Sequence, residues 1–139
     1  MIVQEFSIGK YDWLVRVYYA VRGYNFDEIE ESLVKLKATD EEIEQALEDF
    51  YDKQENIGYI YSNLTDRKTV MVIGPTSSAS EFQNTFDHEK GHLAMHICIA
   101  DGIDPFSEEY QYLTGSIGEQ MFKVGKLFLC DNCREKWID

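Results

Sequence analysis

Residues 78–102, SASEFQNTFDHEKGHLAMHICIADG, predict the helix around which the fold is built. Ser78 and Glu81 form a capping box, which marks the first turn of a helix. Gly102 marks the end, because glycine readily takes the left-handed conformation that closes helices. Two adjacent stripes recur at helical spacing between these signals: Phe82, Phe86, Leu93, Ile97 and Ala100, and His88, His92, Met95 and Ile99. We therefore expect a long helix with much of its circumference buried.

Within this helix, His88-Glu89-Lys90-Gly91-His92 contains two of the three histidines of the chain. Side chains four residues apart share one helix face, about 5–6 Å apart at Cβ, so one zinc ion (Zn²⁺) can bind both imidazoles. His96 lies two turns, or ~11 Å, beyond His88, which is too far for the same ion. The spacing predicts a zinc site with His88 and His92 as ligands, and His96 as a core histidine bonded to backbone or as a support for the ligands.

The remaining helix and strand signals predict an α+β fold in a single domain, residues 1–139. β-Branched and aromatic residues predict a strand within residues 11–21, and a hairpin from residues 58–62 and 69–73. Two acidic amphipathic helices, residues 27–37 and 39–51, are expected to cover the sheet. Gly91, inside the long helix, suggests that a strand or a substrate backbone approaches closely there.

A last helix is predicted to begin at Asp104-Pro105 and to fold back against the histidine helix. It carries Glu108, Glu109 and Glu119. In a purely antiparallel helix pair, Glu108 lies ~7 Å from the turn near Ile103, His92 ~16 Å and Glu119 ~24 Å. Glu108 therefore needs a steep crossing of the two helices to reach the histidines, and Glu119 lies beyond them by a similar distance.

Composition restricts the function. The net charge of −13 repels phosphate backbones and anionic lipids, so neither nucleic acid nor a membrane is an expected partner. A chain of 139 residues can form a core without a metal, which favours catalytic over structural zinc. The three cysteines lack the spacing of a disulfide scaffold, and no apolar run reaches ~18 residues. These features predict a soluble, cytoplasmic protein.

From Gly58 to Met121, the hairpin, the His-Glu-x-x-His helix and the Glu-bearing helix resemble the zincin metallopeptidases, and their gluzincin branch in particular. The resemblance implies that zinc activates a water molecule and that Glu89 is the general base. It also implies a glutamate ligand on the following helix. Residues 108–115, EEYQYLTG, are similar to a helix of small phage and mobile-element proteins of this type. That similarity ranks Glu108 first, Glu109 second and Glu119 third.

Three functions are consistent with these residues. The first is a zinc-dependent peptidase that binds an extended, preferably basic, peptide along residues 69–73, with Tyr112 or Arg67 as candidates to stabilise the oxyanion. The second is a non-catalytic zinc-binding interaction or regulatory protein of a phage or mobile element. The third is disulfide exchange by Cys130 and Cys133, although the acidic residues beside this pair oppose a reactive thiolate.

Overall fold

The computed structural model describes residues 1–52 and 58–137, which form an α+β fold, as predicted. The strands are β1 (Ile2–Ile8), β2 (Trp13–Tyr19), β3 (Gly58–Asn63) and β4 (Lys68–Ile73). The helices are α1 (Phe26–Lys35), α2 (Asp40–Asp52), α3 (Ala79–Asp101), α4 (Glu108–Gly125) and α5 (Asp131–Arg134). Short 3₁₀ turns lie at Gly9–Tyr11, Gly23–Asn25, Lys126–Phe128 and Glu135–Trp137.

The four strands form one mixed sheet in the order β1-β2-β4-β3. β1 pairs antiparallel with β2, and β3 with β4, whereas β2 and β4 run parallel. The predicted hairpin is therefore present. Strand β1 was not predicted, although Gln4, Phe6 and Ile8 are buried and alternate with exposed residues, the pattern of a half-buried strand.

The position of β4 corrects the predicted substrate strand. Thr69 to Ile73 lie within β4, which hydrogen-bonds to β2 on one side and to β3 on the other. A peptide cannot pair with a strand whose two edges are already occupied. The prediction placed the peptide there because the parallel contact between β2 and β4 joins segments about 50 residues apart in the sequence, a pairing that hairpin signals do not reveal.

The sheet separates two apolar cores. Inward side chains of β1 and β2, such as Trp13 and Val17, pack with α3 and α4 on one face. On the other face, Tyr18, Val70 and Val72 pack against the two acidic helices α1 and α2. These helices thus form the covering layer that their amphipathic sequences predict.

Helix α3 begins and ends as predicted. The Ser78 hydroxyl accepts a hydrogen bond from the Glu81 amide at 3.1 Å, and Gly102 has a left-handed φ of 66°. Helix α4 begins later than predicted, because Ser107 caps it and residues 104–106 form a turn before it. No helix in the two described ranges is long and apolar enough to cross a bilayer.

Helices α3 and α4 pack side by side in opposite directions. A Cβ added at Gly125 would lie 2.9 Å from the Phe86 ring, and one added at Gly118 would lie 3.5 Å from Lys90 Nζ. Later residues of α3 therefore contact earlier residues of α4, so the two helices are antiparallel. The predicted return of the last helix against the histidine helix is confirmed.

Candidate functional site

His88 and His92 face each other on the outer surface of α3. Their Nε2 atoms are 3.1 Å apart, and the two rings meet edge to face with centroids 4.7 Å apart. Two nitrogens bound tetrahedrally to one zinc ion at about 2.0–2.1 Å would lie about 3.3 Å from each other. The two imidazoles therefore fit as ligands of a single ion, since little movement brings both nitrogens within bonding distance.

The stripe that contains the histidines faces solvent, which corrects the predicted burial of this second stripe of α3. His88 and His92 are exposed, and Met95 and Ile99 along the same stripe are 39% and 64% exposed. The sheet and α4 cover the other sides of α3, so the core occupies only part of its surface. The histidine pair is consequently accessible from solvent.

Glu89 has a different environment from the two histidines, because it is only 4% exposed. It lies against the start of strand β3, where a Cβ added at Gly58 would fall 2.4 Å from Glu89 Cγ and 2.5 Å from its Oε1. The close approach that the sequence suggested at Gly91 occurs at Gly58 instead, since a Cβ added at Gly91 meets nothing within 4 Å. Glycine at position 58 thus leaves the space that the Glu89 side chain occupies.

Helix α3 runs alongside strand β3 in the same direction. Gly58, Ile60 and Ser62 alternate towards the helix side of the strand, and Ser62 Oγ lies 2.7 Å from Nδ1 of His96. Glu89 is therefore level with the first residue of β3 and His96 with the fifth. The histidine surface of α3 consequently lies next to the strand at the margin of the sheet.

The predicted third ligands Glu108 and Glu109 lie near the C-terminal end of α3. Glu109 Oε1 accepts a hydrogen bond from the Tyr11 hydroxyl at 2.9 Å and lies 3.7 Å from Lys10 Nζ. It is also close enough to Cys98, in the last two turns of α3, to help raise the pKa of that thiol, an effect caused mainly by burial. Glu108 and Glu109 begin α4, ~14 Å along its axis from the level of Lys90.

Glu119 is the predicted candidate nearest in level to the histidines. It follows Gly118, which faces Lys90, and its side chain is exposed. Nevertheless, across residues 1–52 and 58–137 no three His, Cys, Asp or Glu side chains are grouped closely enough to hold a metal ion. The structure brings together His88 and His92, with Glu89 adjacent in sequence, and does not bring Glu108, Glu109 or Glu119 to them.

His96 takes part in a buried hydrogen-bond chain that the sequence did not indicate. The Trp13 indole N–H donates to Thr69 Oγ1 at 2.8 Å, Thr69 Oγ1 lies 2.7 Å from Ser62 Oγ, and Ser62 Oγ lies 2.7 Å from His96 Nδ1. The partner of His96 is therefore a side chain and not the expected backbone group. Burial lowers the pKa of His96, and the nearby His92 lowers it further.

The two residues considered for oxyanion stabilisation lie elsewhere. Arg67 donates two hydrogen bonds to the Asp101 carboxylate, at 2.8 and 2.6 Å, and its guanidinium lies over the Trp13 ring. These contacts hold it at the C-terminal end of α3. Tyr112 is 73% exposed and lines a surface pocket with Lys10 and Tyr11. Arg67 and Tyr112 therefore make their contacts away from the histidine pair.

No protein-family model, curated protein or solved structure matches the chain. The resemblance to the zincins thus rests on the motif at residues 88–92 and on its setting between a hairpin and a glutamate-bearing helix.

Proposed function

We propose that this protein is a zinc-dependent peptidase, with His88 and His92 as metal ligands and Glu89 as the general base. The observation that carries the proposal is the 3.1 Å separation of the two Nε2 atoms on an exposed helix face. The two imidazoles can share one hydrogen bond at this distance, and the same spacing suits a shared ion. Zinc bound at this position would lower the pKa of a water molecule and polarise a peptide carbonyl.

Glu89 would handle the protons of the reaction. Its carboxylate would take a proton from the water that attacks the peptide carbon and pass it to the leaving amine. Contact with Gly58 restricts the Glu89 side chain to one side of α3, between the histidine face and β3. This restriction supports the role, since a general base is most effective when its position is fixed before the reaction.

Strand β3 is the surface on which we propose that the peptide binds. It is the last strand of the sheet order and runs beside α3, from Glu89 at Gly58 to His96 at Ser62. Within the described residues it pairs with β4 alone, so an extended peptide could add to its outer edge by backbone hydrogen bonds. The net charge of −13 favours peptides rich in lysine and arginine.

Of the three predicted glutamates, the direction of α4 favours Glu119, which is level with Lys90, over Glu108 and Glu109, which lie near the far end of α3. Level alone does not bring Glu119 to the ion, because α4 packs on the Lys90 side of α3, and position 90 lies ~160° around the helix axis from both histidines. Loss of zinc from Glu119→Ala, with retention in Glu108→Ala, would assign the ligand.

The proposal is tested by measuring zinc content and peptide hydrolysis in the same preparations. Glu89→Gln is expected to retain zinc and to lose hydrolysis of a mixed set of lysine- and arginine-containing peptides. Asp87→Asn is the matched control, because Asp87 is an exposed carboxylate two residues away that pairs with Lys90 at 3.4 Å. It should keep both properties. Equal hydrolysis by Glu89→Gln and the wild type would exclude Glu89 as the base.

The second candidate is a non-catalytic zinc-binding interaction or regulatory protein, in which the histidine pair binds the ion and Glu89 has no role as a base. It is favoured by the burial of Glu89, which is 4% exposed, whereas both histidines face solvent. Zinc bound with four protein ligands, together with no hydrolysis by the wild type, would support this function over the peptidase.

A further inference from the structure

Cys130 and Cys133 lie on one turn at the beginning of α5. Cys130 is exposed and extended, with φ −125° and ψ 128°, and Cys133 is half-buried. The Arg134 amide closes the turn by donating to the Cys130 carbonyl at 2.8 Å. Side chains three residues apart on a helical turn are neighbours, about 5–6 Å apart at Cβ. The turn therefore brings the side chains of Cys130 and Cys133 together.

The surroundings of the pair favour thiol chemistry over metal binding. Both cysteines are free, and among the residues the structure describes they belong to no cluster of three metal-ligating side chains. The third cysteine, Cys98, is buried in the core between the sheet and α3. A closed zinc site needs four ligands, so two sulfurs alone do not make one.

Helix α5 is held firmly against the start of α3. Asp131 Oδ1 accepts a hydrogen bond from the Ala79 amide at 2.8 Å. The buried Arg134 guanidinium donates to the carbonyls of Thr76 and Ser77. These bonds fix the backbone on both sides of Cys133. Ala79 lies nine residues before His88, ~14 Å along α3, so the cysteine pair is separate from the histidine site.

We propose that Cys130 and Cys133 form a redox-active dithiol that reduces disulfides. The Cys130 sulfur attacks one sulfur of the substrate disulfide, whose S–S bond breaks and releases the first thiol. The Cys133 sulfur then attacks the Cys130 sulfur of the mixed disulfide, which releases the second thiol and leaves a Cys130–Cys133 disulfide. The substrate gains two electrons and two protons, and the dithiol loses them.

The pKa shifts and the exposure of the two thiols support Cys130 as the attacking residue. Hydrogen bonds from Cys133, above all from its backbone amide, lower the pKa of Cys130. The hydrogen bond to the Cys130 side chain raises the pKa of Cys133. The charge of Asp131, which from the sequence opposed a reactive thiolate, raises the pKa of Cys130 by less than these hydrogen bonds lower it. A more acidic, exposed thiol beside a less acidic one suits attack followed by resolution.

The experiment treats the wild type and single serine variants with oxidised glutathione and follows the intact mass. The wild type should lose two hydrogens without a lasting glutathione adduct. Cys133→Ser should accumulate one adduct on Cys130, because the resolving sulfur is absent. Cys130→Ser should react about tenfold more slowly, since Cys133 has the higher pKa and is less exposed. Circular dichroism checks that each variant folds.

Cys98→Ser is the matched control and should behave as the wild type, since Cys98 is only 3% exposed. Two results would overturn the proposal. One is a wild type that keeps its thiols or retains a glutathione adduct, which would show that the pair does not close. The other is equal reaction rates for Cys130→Ser and Cys133→Ser, which would show that neither cysteine is the preferred nucleophile.

Discussion

Replacing Gly58 with alanine tests the close contact that positions Glu89. The new methyl group would lie 2.4 Å from Glu89 Cγ and 2.7 Å from its Cδ, far inside van der Waals contact. Overpacking of this kind costs about 1–3 kcal/mol. Alanine also reduces the entropy of the unfolded chain, which returns about 0.5–1 kcal/mol, because Gly58 has no positive φ. We expect Gly58→Ala to lower the free energy of unfolding by about 0.5–2 kcal/mol.

A double-mutant cycle in urea separates this contact from a general effect of strand β3. In a Glu89→Ala background the clashing atoms are absent, so Gly58→Ala should be neutral or stabilising, with a coupling energy of about 1–3 kcal/mol. Gly91→Ala is the matched control in α3, where a Cβ meets nothing within 4 Å, and it should stabilise by up to about 1 kcal/mol. The same cost for Gly58→Ala with and without the Glu89 side chain would refute the reasoning.

Three further predictions concern the core, the pH dependence and the third ligand. Thr69→Val should lower the free energy of unfolding by about 1–3 kcal/mol, because it leaves the Trp13 indole N–H buried without its acceptor. A change of less than about 0.5 kcal/mol in a urea titration would contradict this prediction. Burial raises the pKa of Tyr59 from 10.0 to about 12, so the stability gained from its neutral form is complete below pH 10 and is lost as the pH rises to 12. Unfolding titrations of Tyr59→Phe across this range should show a smaller loss than the wild type, and equal slopes would argue against the burial effect. Glu108→Ala and Glu109→Ala should each change zinc affinity by less than about tenfold, since both lie towards the far end of α3; a larger loss in either would identify a ligand that the structure separates from the histidines.

Helix α3 could be predicted from the sequence because its signals are local. Ser78 and Gly102 mark its ends, and the spacing of His88 and His92 depends only on helix geometry. The hairpin of β3 and β4 could be predicted for the same reason, as a short polar loop joins two β-prone runs. The sequence therefore predicts those features that depend on a single turn or loop.

Features that depend on distant pairing were not predictable. The parallel contact of β2 with β4 places β4 inside the sheet and β3 at its margin, which moves the proposed peptide-binding strand. The exposure of Met95 and Ile99 depends on how much of α3 the sheet and α4 cover. An apolar stripe in a sequence does not show whether a partner element reaches it.

The ranking of the glutamates shows a conflict between similarity and geometry. Similarity to a phage-type helix ranked Glu108 first, whereas helical rise in an antiparallel pair argued against it. The contact of Glu109 with Tyr11, and that of Gly118 with Lys90, agree with the geometric argument. Gly58 was a sequence signal for the buried Glu89 side chain, because a glycine in a strand often marks the close approach of another group.

The most direct test of the central claim is the zinc content of the purified protein, measured by atomic emission against protein concentration. We expect about one zinc ion per chain in the wild type and in Glu89→Gln, and loss of zinc in His88→Ala and His92→Ala. His96→Ala, whose ring bonds to Ser62, should keep its zinc. Zinc bound equally by the wild type and by the His88 and His92 variants, or no zinc binding by any of them, would contradict the account.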